Sequence, residues 1–507
     1  MEFLSLSYAL FFLSVLGIYW TVSNRRSQLW ILLIASIVFY ASLQFQYIPL
    51  LIVSIFINYK LGRELNICQT QQPENEKNEE GKEESRNTNL NIDWSPRRFI
   101  ILWLGIFLNV SVLFTFKYVP FVLESIGDLA NWQKANALAT FFRENILPPL
   151  GLSFFTFECI AYLVDVYRGA PASQQFIEFA AYKFFFPKLI SGPITRYHTL
   201  KKQLRSLQFP RAEKITEGLW LIACGAVKKG LLADNLAQFV NLSFDNLQRA
   251  GSIDLWLAIF AYGLQLYFDF SGYVDIARGS ATLMGFNLPE NFDYPYMSTS
   301  IADFWRRWHI TLGDWLRNYL YFPLGGSRKG LVKTCLNLLI IMFISGIWHG
   351  AAWGFIVWGL IHGVALVIHR LTEAISNKFV FLKYWWRSIP GTIFAWALTQ
   401  IMVFMSWIWF RLPNLKDSTW AFENLWGNAG DPQFVQKVYL ESIGLERLQL
   451  SVLLASLMIA IAISYTIHRL LKLDLNWPFK IMLVPICFFA VWLLAPEGQP
   501  QFIYFDF

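Results

Sequence analysis

Three apolar blocks within residues 263–362 decide the architecture of this chain: GLQLYFDFSGYVDIARGS (263–280), IADFWRRWHITLGDWLRNYLYFPLGG (301–326) and ISGIWHGAAWGFIVWGLIH (344–362). Two histidines stand out in them. His309 lies in a tryptophan-rich amphipathic block, and His349 lies in a run with almost no other polar side chain. An ionisable side chain held at membrane depth is costly and is often functional. The blocks therefore indicate a site buried in the membrane.

The composition excludes an ordinary soluble protein. Of the 507 residues, 55% are hydrophobic, 18% are aromatic and 15% are charged, and the mean hydropathy is +0.40. The succession of apolar runs predicts an all-α polytopic membrane protein with about eleven spans. Several runs are shorter than the ~20 residues that a straight span needs, so re-entrant and interfacial helices are expected beside the spans.

Charged residues and cysteines narrow the class further. The net charge of +7 is typical of basic loops that meet anionic lipid headgroups, and no Lys/Arg run has a nucleic-acid-binding pattern. The five cysteines are scattered and form neither a disulfide framework nor a CxxC metal pattern. We therefore expect the lipid bilayer as a partner, and neither nucleic acid nor a metal ion.

Basic residues at the ends of the first apolar runs indicate the orientation. Arg25 and Arg26 follow the first run, and Arg97 and Arg98 precede the fourth. Lys and Arg are enriched in cytoplasmic loops, so placing these residues in the cytoplasm puts the N-terminus outside. The expected location is the inner or plasma membrane, crossed several times.

One membrane domain, residues 1–507, is expected, with two polar interruptions. Residues 69–90 (QTQQPENEKNEEGKEESRNTNL) are charge-dense and nearly free of apolar side chains. They predict a disordered cytoplasmic linker, because such a segment cannot bury enough apolar surface to offset its ordering. Residues 413–447 predict an extramembrane polar segment that contains a short helix or two.

The block at residues 301–321 predicts one amphipathic helix at the membrane interface. Apolar residues recur at spacings of three, four and seven, and the charged residues take the opposite face. On this helix His309 would lie at the edge of the apolar stripe and point inward. Asp314 completes an HxxxxD spacing but would lie about 140° away, so we interpret the spacing as chance. A satisfied buried histidine is the alternative to a functional one.

The glycine-rich run GIWHGAAWG (346–354) surrounds His349. The apolar stretch 332–368 is too long for one straight span and slightly short for two, which predicts a tight hairpin or broken helix near residues 346–350. An imidazole at such a turn is suited to taking a proton from a hydroxyl. A packing or proton-path histidine is the alternative.

Other polar residues lie in apolar surroundings. The carboxylates could pair with Arg168 or Arg278, or could shape a polar tunnel; they are Glu158, Asp165, Asp269 and Asp275. Lys188 in FPKLISGP (186–193) predicts part of a re-entrant loop. The sequence shows no Ser-His-Asp set, GxSxG elbow, P-loop or zinc spacing, so covalent serine catalysis and nucleotide hydrolysis have no support.

Five ordered blocks carry a family likeness: PLGLSFFTFECIAYLVDVYRG, FPKLISGPITRY, FDFSGYVDIARGSATLMGF, NFDYPYMSTSIADFWRRWHITLGDWLRNYLYFPLGG and ISGIWHGAAWGFIVWGLIHG. In this order they resemble the membrane-bound O-acyltransferase (MBOAT) family. The alginate O-acetylase type is the most similar branch, and the D-alanyl transferase of teichoic acid modification is a near relative. The resemblance implies a ring of membrane helices around a central funnel or tunnel.

The resemblance also implies the chemistry. His349 corresponds to the family's essential histidine and His309 to its second characteristic polar position. The implied reaction moves acetyl from a cytoplasmic thioester, acetyl-CoA or an acylated carrier protein, to hydroxyls of an exported polysaccharide. It needs no tightly bound cofactor and often involves extracytoplasmic partner proteins. Four basic residues are candidates for binding the phosphates of the donor, with plain positive-inside topology as the alternative; they are Arg306, Arg307, Arg317 and Lys188.

Three other functions stay open at this point. Transfer of D-alanyl or another acyl group from a carrier protein belongs to the same class of reaction. A proton-coupled transporter would use the histidines and buried carboxylates as a path, but the sequence shows no inverted repeat of broken helices. A scaffold that only anchors an export complex would tolerate replacement of His349.

Overall fold

A computed structural model of the protein describes residues 1, 3–70, 95–496, 498 and 502–503. The chain divides into two compact units, Met1–Phe209 and Pro210–Phe507. Within the described residues the structure is helical, apart from short connections and one isolated antiparallel bridge between Phe292 and Trp308. The linker predicted at residues 69–90 falls outside this part of the chain, except for positions 69 and 70.

The first unit holds nine α-helices in its described part. They are α1 Leu6–Thr21, α2 Arg25–Gln44, α3 Ile48–Thr70, α4 Pro96–Lys117, α5 Val119–Ala130, α6 Gln133–Asn145, α7 Leu152–Tyr167, α8 Phe176–Phe184 and α9 Tyr197–Arg205.

The second unit continues with thirteen α-helices among its described residues. They are α10 Ala212–Ala226, α11 Asp234–Asp245, α12 Ser252–Leu283, α13 Ile301–Arg307, α14 Ile310–Leu316, α15 Gly330–His349, α16 Trp353–Ser376, α17 Val380–Arg387, α18 Ile389–Arg411, α19 Leu415–Glu423, α20 Pro432–Phe434, α21 Arg447–Tyr465 and α22 Trp477–Leu494. Four π-helical segments interrupt or extend them: Val227–Ala233, Arg317–Tyr321, Val435–Ile443 and Thr466–Leu470.

Eight stretches of described helix are long and apolar enough to cross a membrane. They are Arg25–Asn66, Pro96–Lys117, Ser252–Leu283, Gly330–His349, Trp353–Ser376, Ile389–Arg411, Arg447–Leu470 and Trp477–Leu494. The shorter apolar helix Leu6–Thr21 accompanies them. The prediction of an all-α polytopic membrane protein is confirmed, whereas the number of about eleven spans is not. The funnel or tunnel stays a prediction.

Helix α7 shows why an apolar run alone does not establish a span. It is 16 residues long and buried on almost every face, where it packs against α3 and α4. A helix that is apolar all round is as consistent with a protein core as with a lipid-facing span. Composition alone does not separate the two cases.

The polar segment predicted at 413–447 forms α19, α20 and a π-helical segment, and its extramembrane position stays a prediction.

Helices α10 and α12 approach each other closely along a seam of glycines. A Cβ atom added to Gly225 would lie 2.6 Å from the carbonyl oxygen of Gly272, and one added to Gly279 would lie 2.5 Å from that of Gly218. Small residues let the backbones of two membrane helices approach in this way. The glycines of the FDFSGYVDIARG block therefore serve the packing of α12, the longest helix of the second unit.

The hairpin of α15 and α16 has an equally close contact. A Cβ atom added to Gly346 would lie 2.4 Å from the carbonyl oxygen of Phe355, and one added to Gly359 would lie 2.4 Å from that of Met342. The backbones therefore touch one turn before His349, which ends α15. This contact brings the end of α15 against the facing side chains of α16.

We expect Gly359→Ala to lower the stability of the protein by about 1–3 kcal/mol, because the new methyl group must push the two helices apart. Thermal unfolding of the detergent-solubilised protein measures the effect. Gly17→Ala on α1 is the matched control, since a Cβ atom there meets nothing within 4 Å. Equal melting temperatures for both variants would show that the α15–α16 contact is not as tight as the structure has it.

Candidate functional site

His349 lies at the predicted break between two membrane helices. It is the last residue of α15 and is 2% exposed. Helix α16 begins four residues later, at Trp353. Gly350 between them is fully extended, with φ −164° and ψ 156°. The sequence-based prediction of a broken helix near residues 346–350 is confirmed. Irregular backbone at this depth is tolerated because protein surrounds it.

Aromatic rings enclose the imidazole of His349. The ring centroids of Trp348, Trp358 and Phe410 lie 4.9, 5.0 and 5.0 Å from that of His349. Phe410 also contacts Trp407, one helical turn earlier on α18, at 5.4 Å. We call His349, Trp358, Trp407 and Phe410 the aromatic box. These rings restrict where the imidazole of His349 can move and surround it mostly with carbon.

His309 does not lie on a continuous helix, so the prediction of a single helix over residues 301–321 is wrong. Helix α13 ends at Arg307 and α14 begins at Ile310. His309 between them has left-handed backbone angles, φ 45° and ψ 54°. A non-glycine residue rarely adopts this conformation unless its surroundings impose it.

The segment around Asn291 imposes this break. The backbone carbonyl of Asn291 accepts a hydrogen bond from the N–H of Ile310 at 3.0 Å. Its side-chain Oδ1 accepts two more, from the N–H of Thr311 at 3.0 Å and from the hydroxyl of Thr311 at 2.8 Å. The N–H of Asp293 donates to the carbonyl of Arg307 at 2.9 Å. These bonds replace helical ones and pull residues 308–309 out of the helix.

The break turns the side chain of His309 into the core. The residue is 1% exposed, and its ring contacts those of Phe270 on α12 at 4.9 Å and Trp348 at 5.9 Å. Burial lowers the pKa of His309 to about 3, so its imidazole is uncharged at neutral pH. Trp348 therefore contacts both predicted histidines, which the sequence alone did not indicate.

The predicted donor-binding arginines lie near the surface. Arg306 is exposed, Arg307 forms an ion pair with Asp303 at 3.0 Å, and Arg317 forms one with Asp314. Asp314 is half exposed and is occupied by this pair, which agrees with reading the HxxxxD spacing as chance. A role of these arginines in donor binding stays a prediction.

Lys188 lies in the first unit, in a buried ion cluster. Its ammonium group contacts both carboxylate oxygens of Glu158, at 2.5 and 2.6 Å. Lys183 donates to the same carboxylate at 3.1 Å, and the N–H and hydroxyl of Thr195 each donate to it at 3.0 Å. The expectation that Arg168 or Arg278 pairs with Glu158 is wrong, because the two lysines occupy its carboxylate. Two ammonium groups around one carboxylate leave one positive charge in excess.

Asp269 and Asp275 also find lysine partners, both in the second unit. Asp269 pairs with Lys229 at 2.8 Å and Asp275 with Lys228 at 2.6 Å. Arg278, an expected partner, forms an ion pair with Asp275 at 3.8 Å and one with Glu290 at 3.0 Å, so the expectation is confirmed for Asp275. Ion pairs thus account for the carboxylates of Asp269 and Asp275, and a polar tunnel stays a prediction.

His362 is a buried histidine with a structural role. Its Nδ1 accepts a hydrogen bond from Nε1 of Trp305 at 3.3 Å, and its Nε2 lies 2.9 Å from the hydroxyl of Ser406. That hydroxyl donates to the carbonyl of Val403 at 2.6 Å, so Nε2 carries the hydrogen of the imidazole. These bonds join α13, α16 and α18, which explains the buried position of His362 without a chemical role.

Sequence reasoning did not single out Trp358 or Trp407. Trp358 is four residues before His362 on α16, a spacing that places two side chains on one helical face. This signal was available, but only the packing of α15 against α16 shows that Trp358 also faces His349. No local pattern connects Trp407 on α18 with either residue.

The fold and site define a multi-pass membrane protein with two buried histidines on one indole. A family model described as MBOAT, membrane-bound O-acyltransferase family, matches residues 99–408, more than half of the chain. The protein therefore belongs to the membrane-bound O-acyltransferase family and is a membrane acyltransferase.

Named relatives cover most of the chain. It is 35% identical to the peptidoglycan O-acetyltransferase of Helicobacter pylori over 80% of this chain and 74% of the relative. It is 37% identical to the protein of Pseudomonas aeruginosa named probable alginate O-acetylase AlgI, over 82% and 73%. The teichoic acid D-alanyltransferase of Bacillus subtilis is 28% identical over 47% of this chain and 63% of the relative.

We expect the buried His309 to make the fold sensitive to acid. An unfolded histidine titrates near ~6.5, whereas burial lowers the pKa of folded His309 to about 3. Between these values the unfolded state binds more protons, so stability falls as the pH falls. Relative to His309→Asn, the wild type should lose about 2 kcal/mol between pH 7 and pH 5. Asparagine does not titrate and tolerates left-handed backbone.

Melting temperatures of both proteins at pH 7 and pH 5 measure this difference. His369→Asn, at a half-buried position on α16, controls for the loss of a histidine elsewhere. If the wild type and His309→Asn lose equal stability between pH 7 and pH 5, the pKa of folded His309 is not lowered to about 3.

Proposed function

We propose that this protein transfers acetyl groups from a cytoplasmic thioester to hydroxyls of an exported polysaccharide of the alginate type. The observation that carries the proposal is the position of His349 at a buried helix break, beside Trp348, which also contacts His309. The names of two relatives, the O-acetyltransferase of peptidoglycan and the O-acetylase of alginate, support acetyl as the group and a cell-envelope polymer as the acceptor.

His349 acts as the general base in this proposal. Its imidazole takes the proton of the acceptor hydroxyl while the hydroxyl oxygen attacks the thioester carbonyl carbon. The carbon–sulfur bond then breaks, and the thiolate leaves with the proton that His349 returns. The products are the ester and the free thiol, and no tightly bound cofactor takes part.

His309 orients the donor or the acceptor, or polarises the thioester carbonyl. Its uncharged imidazole offers one hydrogen-bond donor and one acceptor, which suits positioning better than electrostatic attraction. Arg306, Arg307 and Arg317 attract the phosphates of the donor at long range. Lys188 is the weakest of these candidates, because its ammonium group is buried and bound to Glu158.

The proposed location is the inner or plasma membrane, with the N-terminus outside. Basic residues after the first apolar run support this orientation. Extracytoplasmic partner proteins would complete the transfer to the polymer. The membership of an acyltransferase family favours an enzyme over a transporter or a scaffold.

A second candidate is the transfer of D-alanyl from a carrier protein. It is supported by the 28% identity to a teichoic acid D-alanyltransferase. The 35% and 37% identities to the acetyl-transferring relatives, over a larger share of the chain, favour acetyl.

We expect His349→Gln to lower the acetyl content of the surface polysaccharide by about 10²–10⁴-fold, because glutamine keeps a polar side chain but is no base. The measurement is the acetyl content of polysaccharide from a strain that carries the variant as its only copy. His369→Ala, which removes a histidine near the end of the same hairpin, should leave acetylation unchanged. Normal acetylation by His349→Gln at a normal protein level would rule out the catalytic role.

The donor is identified by a second experiment. We expect membranes that contain the protein to transfer labelled acetyl from acetyl-CoA to the polysaccharide. Parallel reactions use a carrier protein loaded with acetyl or with D-alanyl. Transfer of D-alanyl alone would replace acetyl transfer by the second candidate function.

A further inference from the structure

Two buried indole groups near His349 hold unused hydrogen-bond donors. Within the described part of the chain, Nε1 of Trp358 and Nε1 of Trp407 are buried and have no hydrogen-bond partner. The two residues are 0% and 1% exposed. Large buried tryptophans normally place this N–H against an acceptor.

Three other tryptophans of the same unit follow the normal pattern. Their N–H groups donate to a side chain or a carbonyl: Trp305 to His362 at 3.3 Å, Trp396 to Tyr296 at 2.9 Å and Trp256 to Leu425 at 3.1 Å. The unit can therefore satisfy an indole N–H. A third buried indole N–H without a partner among the described residues, that of Trp386, lies on α17, whereas those of Trp358 and Trp407 occur together in the aromatic box.

One of the two indoles contacts His349, and the other lies beside the first. Trp358 meets the imidazole edge-on, with centroids 5.0 Å apart and planes at 88°. Trp407 lies 6.1 Å from Trp358 with nearly parallel planes, at 19°. Phe410 contacts both, at 5.2 and 5.4 Å. Three helices, α15, α16 and α18, thus bring together the imidazole of His349 and two indole N–H groups that have no acceptor in the described part of the chain.

A buried donor without an acceptor costs free energy, and native proteins rarely retain one without a reason. Indole N–H is a donor and never an acceptor, so the ligand that satisfies it must present an acceptor. In acyl transfer, the thioester carbonyl oxygen is such an acceptor, and it gains negative charge as the acceptor hydroxyl attacks. The aromatic box holds two N–H groups, unpartnered within the described residues, of the kind that this oxygen requires.

We propose that Trp358 and Trp407 donate their indole N–H groups to the carbonyl oxygen of the acyl thioester at His349. This inference rests on the proposed acyl transfer and deepens it. As the new carbon–oxygen bond forms and His349 takes the hydroxyl proton, the carbonyl electron pair moves onto the oxygen that the two indoles hold. The pair returns when the carbon–sulfur bond breaks, and the thiolate takes the proton from His349.

The experiment replaces each N–H without changing the shape of the ring. β-(3-Benzothienyl)alanine, in which sulfur stands for the N–H of tryptophan, is incorporated at position 358 or 407 of the full-length protein in membranes. Position 396, on the same helix as Trp407, is the matched control because its N–H donates to a carbonyl of the protein. Initial rates with labelled acetyl-CoA, or with the acetylated carrier protein, give kcat and KM.

We expect kcat to fall about 10²-fold at positions 358 and 407, with KM for the donor nearly unchanged, because removing one donor to a developing oxyanion has an effect of this order. Melting temperatures without donor should stay at the wild-type value for both, since no bond inside the protein is lost. Position 396 should show the opposite pattern, with a normal kcat and a lower melting temperature.

Three outcomes would overturn the inference. A normal kcat at both positions would mean that the N–H groups face a neighbouring ring or a buried water. A lower melting temperature at both, equal to that at position 396, would mean that they bond within the protein. A fall in kcat at position 396 as large as at the other two would mean that the effect is not specific. A wild type inactive with every thioester would instead refute the proposed function itself.

Discussion

The contact between Gly346 and Gly359 is the constraint on which the site depends. Each glycine faces a carbonyl of the opposite helix at a distance that excludes any side chain. Because the backbones touch there, the last turn of α15 and the second turn of α16 lie against each other. His349 follows Gly346 by three residues and Trp358 precedes Gly359 by one. The two rings meet because neither glycine carries a side chain that would hold the helices apart.

His309 reaches the same region by a different physical route. Its helix is broken by hydrogen bonds from the segment around Asn291, which compete with the helical bonds of residues 308–311. This arrangement holds the backbone of His309 in the left-handed region, which is strained for a residue other than glycine. Trp348 contacts both imidazole rings, so the site is built around this indole.

Sequence reasoning reached the helical membrane class, the break at His349 and the choice of His309 and His349 as candidate residues. These follow from hydropathy, from glycine spacing and from the family likeness, all of which are visible in a single stretch of chain. The conformation of His309 could not be predicted in this way, since it depends on Asn291, twenty residues before Thr311. The lysine partners of Glu158 were missed for the same reason, because Lys183 and Lys188 follow it by 25 and 30 residues. Long-range contacts, rather than local propensity, decide these parts.

The glycine seam between α10 and α12 has a mechanical consequence. Gly218 and Gly225 on one helix, and Gly272 and Gly279 on the other, are each seven residues apart, so the two contacts lie about 10 Å from each other along the axes. A single contact would act as a pivot about which the helices could rotate, whereas two contacts fix the crossing angle. The pair therefore behaves as one stiff element of this unit, and a change in the angle between α10 and α12 would require both contacts to break.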